Sequence, residues 1–136
     1  MEDPPCIVEL LASCPGFRPH WDEHRAWWSG EAGLMLDLAV FGEYAAQAIE
    51  RGAPAELAAI AASAESLLGS ERQAVRDAAI TGFLAGLLQR CHSDAARLPF
   101  DRVARELGPK TLAACRKLDE MLGTRTPGVW QPDAAA

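Results

Sequence analysis

The sequence has no apolar run near the roughly 18 residues a membrane-spanning helix needs. It also lacks a basic excess: Lys plus Arg is 13 against 19 Asp plus Glu, a formal charge of −6. Neutralising phosphates takes a basic surface, so this balance argues against nucleic acid as a partner. The four cysteines (Cys6, Cys14, Cys91 and Cys115) form no C-x-x-C pair. They fall inside apolar patterns, where a thiol behaves as a small hydrophobe. Residues Met1–Pro5 lack the basic flank of a signal peptide, so a disulfide framework is not expected. The G-x-S-x-G nucleophile turn is missing, and Gly108-Pro109-Lys110-Thr111 offers a G-x-K-T string without the rest of a phosphate loop. β-Branched residues are scarce as well, with nine Val plus Ile against 26 Ala and 16 Leu. Ala and Leu favour helix and β-branched residues favour strand, so an all-α fold is expected.

What is present is ordinary for a globular chain: 136 residues, 49% hydrophobic and 24% charged. Length and composition predict one folded domain, expected to be cytoplasmic and free of membrane contact.

The hydrophobic periodicity predicts a compact antiparallel bundle of about six to seven helices. The first covers 4–13, with Asp3 as N-cap and Ile7, Leu10 and Leu11 inward. A short helix follows over 19–28. The next, over 31–51, carries Leu34, Leu38, Phe41, Ala45 and Ala48 on one face, with Gly52 as its stop. A helix over 54–68 turns Leu57, Ile60, Ala61, Ala64 and Leu67 inward. Ser70 then caps a helix over 71–91. That helix has large residues (Phe83, Leu84, Leu87, Leu88) on one side and small ones (Val75, Ala79, Gly82, Gly86) on the other. Such a helix belongs at the centre, with its glycines admitting a neighbouring backbone. Short helices are expected over 99–107 and 109–122, the latter with Leu112, Cys115, Leu118 and Leu122 inward. Residues 1–123 form the domain, and 124–136 read as a flexible tail with Trp130 as its one anchor.

Charge is uneven. Residues 1–50 carry nine acids and two bases, residues 51–100 five of each, and residues 101–136 five acids and six bases. This acidity suits either a solvated face or a surface that meets a basic partner. Trp21, Trp27, Trp28 and Tyr44 suit either core or interface. The partner-binding candidates are Trp27, Trp28, Asp37, Glu43, Tyr44, Gln47 and Glu50, with the basic stretch 102–117 as the next surface. Leu36 and Val40 lie among the acids on the same side.

The string His20-Trp21-Asp22-Glu23-His24 fits H-x-x-E-H, where two His at i and i+4 would bind zinc beside a carboxylate. A hydrolase on His20, Glu23 and His24 is the only concrete enzymatic alternative. It lacks a third ligand, so an amphipathic turn is the plainer reading, with no catalytic metal or cofactor. Asp22/Glu23 and Asp119/Glu120 are sequence neighbours that diverge on a helix, which does not suit acid–base work.

Gly82-Phe83-Leu84, Leu107-Gly108-Pro109 with Thr111, and Leu118-Asp119 together resemble the motifs of a family of small all-helical bacterial proteins. Its members are found beside polymorphic toxin genes, and some look like cognate immunity proteins. The likeness spans roughly the C-terminal half. Ala85-Gly86 stands where that family has a Glu and its neighbour, and Met121-Leu122 where an aromatic is common. The resemblance implies a helical immunity protein that occludes a cognate toxin domain, with no catalytic residue of its own. A regulatory or adaptor helical domain is the alternative.

Overall fold

A computed structural model describes residues 3–28, 32–93 and 98–130, and among these there is no strand. The helices are α1 (Pro5–Ser13), α2 (Arg18–Trp28), α3 (Leu34–Arg51), α4 (Pro54–Leu68), α5 (Gln73–Ala78), α6 (Ala85–His92), α7 (Asp101–Ala104) and α8 (Pro109–Leu122). A single 3₁₀ turn, Pro15–Phe17, leads into α2. The all-α expectation holds. The expected start at Glu31 lies outside the described residues, and α3 opens at Leu34.

The α4 and α8 boundaries are those the sequence predicts. Each has a proline in its first turn, where a missing N–H costs nothing. Gly52 and Gly123 stop α3 and α8 in the left-handed conformation, with φ of 74° and 69°. Asp3 does not cap α1. Its carboxylate accepts from the Trp21 indole at 3.1 Å and from Arg25 at 2.8 Å, tying the start of the chain to α2. Ser70 precedes the next helix and accepts from the Arg72 amide.

The stretch expected as one central helix runs unbroken from Gln73 to His92, but its middle, Ala79–Leu84, is a π-helical turn. The Ala85 amide there donates to the Ile80 carbonyl, five residues back. This turn packs on α3, and the two backbones approach closely. A Cβ on Gly82 would collide with the Met35 carbonyl, and one on Gly42 would sit 3.3 Å from the Phe83 carbonyl. Gly86 does not share this role, because a Cβ there meets nothing within 4 Å.

The core follows the predicted faces. Ile7, Leu10, Leu38, Phe41, Ala45, Ala48, Leu57, Ile60, Phe83, Leu84, Leu87, Leu88 and Cys115 are buried. Phe17 packs edge-on against Phe41 at 5.1 Å, and Phe41 meets Phe83 at 5.1 Å. Leu122, expected inward, is exposed.

Two carboxylates pin the C-terminal half. Glu65 on α4 reaches the start of α8, accepting from the Lys110 amide (3.0 Å), the Thr111 amide (2.9 Å) and the Thr111 hydroxyl (2.8 Å). It thereby satisfies orphan donors at the positive end of that helix. Gly108 makes room, since a Cβ there would strike the Glu65 carboxylate. Asp119 is fully buried. It accepts from the Thr124 hydroxyl (2.7 Å), the Thr126 amide and hydroxyl (both 2.8 Å) and the Trp130 indole (2.6 Å). Residues 124–130 are therefore no loose tail: Thr126 and Val129 are buried, and Arg116 holds the Val129 carbonyl at 3.0 Å. Trp130 is the anchor the sequence suggested, and residues 131–136 lie outside the described residues.

Candidate functional site

The 3.6-residue repeat of α2 places His20, Glu23, His24, Trp27 and Trp28 along one side of the helix. On α3 the same repeat aligns Val40, Glu43 and Gln47. These eight residues, with Ala26, line a groove of about 600 Å³ between the two helices. Trp27 is 81% exposed and Trp28 45%. Surface tryptophan of this extent is unusual on a small domain, and tryptophan is the residue most enriched among interface anchors.

Beneath the groove, His24 and Asp37 form a buried pair, with His24 Nε2 2.9 Å from Asp37 Oδ1. The His24 ring lies between Trp21 and Trp28, at centroid distances of 5.4 and 6.5 Å. Asp37 therefore fixes the floor of the groove rather than facing a partner, which corrects the sequence expectation. Its position, three residues after Leu34 and four before Phe41, turns it toward α2.

Tyr44 is corrected in the same way. It is 1% exposed, packs on Phe17 and Phe41, and donates its hydroxyl to Glu56 at 2.7 Å. Burial, reinforced by the Glu56 carboxylate, pushes its pKa well above the ordinary tyrosine value. Burial alone would raise Glu56, but the Tyr44 hydroxyl and Arg51 outweigh it and lower the pKa.

The remaining candidates stand on the surface. Glu43 accepts from Arg90 at 2.7 Å at the rim. Gln47 and Glu50 are exposed, and Glu50 extends the Val40–Glu43–Gln47 stripe one turn past the groove. The alternative basic stretch is partly committed to structure. Arg102 donates to the Ile49 and Glu50 carbonyls, closing the C-terminal end of α3, and Arg116 holds the Val129 carbonyl, while Lys110 contributes its backbone amide to Glu65.

The H-x-x-E-H residues do share the groove, but as lining. His24 Nε2 is engaged by Asp37, and the His20 ring rests against Tyr44 at 5.7 Å. Among the described residues, no three of His, Cys, Asp or Glu converge in a way that could hold a metal ion. The cysteines are free thiols. Burial, with a contribution from Asp119, pushes Cys91 and Cys115 up to about 12, which keeps them as unreactive thiols.

A model of a domain of unknown function, DUF7674, matches residues 7–123. The chain belongs to this family. The DUF7674 match takes in the whole groove, Glu65 and Asp119, and ends before the Thr124–Trp130 segment that Asp119 holds. No curated protein and no solved structure matches the chain.

The metal-like string and the tryptophan pair form one surface, which the motif taken by itself does not reveal. The signal was present: positions 20, 23, 24, 27 and 28 follow helical spacing on a single helix.

Proposed function

We propose that this protein is a cytoplasmic bacterial immunity protein, with no catalysis of its own, that binds and occludes a toxin domain through the α2–α3 groove. The observation that carries the surface is the adjacent pair Trp27 and Trp28, exposed beside a groove whose charged lining is acidic. Large aromatics at the edge of a shaped groove anchor protein partners, and surrounding carboxylates select a basic one. The resemblance of the Gly82-Phe83-Leu84, Leu107-Gly108-Pro109 and Leu118-Asp119 segments to toxin-associated proteins supports the choice of a toxin as that partner. Those segments do structural work here, so they support the scaffold rather than the interface.

The test is co-expression with the product of the adjacent gene. That product should arrest growth alone, and this protein should relieve the arrest and co-purify with it. Trp27→Ala with Trp28→Ala should weaken the complex by at least about tenfold, as loss of interface anchors does. A neighbour that is harmless, or a complex indifferent to both tryptophans, would overturn the reading. A harmless neighbour that still binds through the tryptophans would favour an adaptor.

A further inference from the structure

We infer that the α2–α3 groove is a receptor for an arginine side chain presented by the partner protein. This rests on the reading above and adds the chemistry the groove selects. Its lining combines the indoles of Trp27 and Trp28 with the carboxylate of Glu23 and the amide of Gln47, and the Glu43 carboxylate beside them is held at the rim by Arg90. Among the described residues, no lysine or arginine lines it. The His24 ring beneath is already held by the Asp37 carboxylate at 2.9 Å. An indole face attracts a cation through its negative quadrupole, and a planar guanidinium can stack there while its edge N–H groups reach a carboxylate. A lysine ammonium is more strongly hydrated and cannot stack, so arginine is the better match.

Both halves of this recognition already occur within the chain. Arg90 places its guanidinium on Glu43 at 2.7 Å, at the outer rim of the groove. Arg125 stacks over the Trp130 ring at 4.8 Å. The groove brings the two kinds of acceptor together, with room of about 600 Å³ between them.

The probe is N-acetyl-arginine amide, compared with N-acetyl-citrulline amide, a neutral isostere, and N-acetyl-lysine amide. The readout is the set of indole N–H resonances in the NMR spectrum of the full chain. Trp21 and Trp130 donate to Asp3 and Asp119, so their resonances report whether the fold is intact. Saturable shifts should appear at Trp27 and Trp28 alone, with arginine binding at least about fivefold tighter than citrulline and tighter than lysine. Glu23→Gln should reduce the arginine affinity and leave citrulline unchanged. Equal binding of arginine and citrulline, or no saturable shift at Trp27 and Trp28, would overturn the inference. In that event, a toxin complex still weakened by Trp27→Ala would leave the immunity reading standing, so the two failures are distinguishable.

Discussion

At the scale of single residues, the strongest determinants are buried carboxylates that act as hubs for donors. Asp119 accepts four hydrogen bonds with no exposed surface. Burial alone would raise its pKa, yet the Thr124, Thr126 and Trp130 donors more than offset this and hold it below the usual value. Removing the carboxylate strands the Thr126 amide and the Trp130 indole. Asp119→Ala should therefore destabilise by on the order of 3 kcal/mol, read from denaturant melts with the Trp130 environment as local probe. The lowered native pKa also fixes a pH dependence. The unfolded chain takes up a proton near about pH 3.9, while the native state resists it. The Asp119 contribution is thus complete above that value and lost as pH falls through the lower native one. Glu65 and Glu56, lowered by their own donors against the effect of burial, act in the same direction. Asp119→Asn should flatten the acid limb of stability against pH. A limb of unchanged steepness would mean that Asp119 does not govern it.

At the scale of elements, the central helix separates two glycines that look alike in sequence. Gly82 faces the Met35 carbonyl across the π turn, whereas Gly86 faces open space. Gly82→Ala should unfold the contact between the π turn and α3. Gly86→Ala should be neutral or stabilising by up to about 1 kcal/mol, because alanine is the better helix former. Leu84→Ala should cost about 2–5 kcal/mol as a buried truncation. Paired thermal melts check all three; a Gly82→Ala protein as stable as wild type would remove the close approach. Helix positions and inward faces were legible because periodicity is local: α4 was readable to the residue from Pro54 and Gly69. The π turn, and hence which glycine matters, was not, because it arises where α3 presses on the helix from far along the chain. The Glu65 cap of α8 was hidden for the same reason, with its partners lying 45 and 46 residues away.

At the scale of the whole molecule, the sequence located the acidic first third correctly in the chain but could not sort its charges by depth. Asp37 and Glu43 both lie on α3, yet one pairs with His24 beneath the groove and the other meets Arg90 at the rim. Asp37→Lys would bury a cation where His24 now has a carboxylate partner, so its effect on binding would be confounded by lost folding. The charges that can steer a partner without that penalty are Glu23 and Glu50, both exposed. Reversing both to Lys changes the charge of the α2–α3 face by four while touching no buried pair. Exposed substitutions of this kind usually stay within about 0.5 kcal/mol of wild-type stability. Association with a basic toxin should then slow, most at low salt, since ions screen such attraction over about 10 Å at 0.1 M. Dissociation should quicken too, since Glu23 lines the groove, but by less than loss of the tryptophan contacts would cause. The measurement is the association rate against ionic strength for wild type and Glu23→Lys/Glu50→Lys, with equal melting temperatures as control. If the two salt slopes coincide, complementary charge on this face plays no part in capture, and binding rests on the aromatic groove alone.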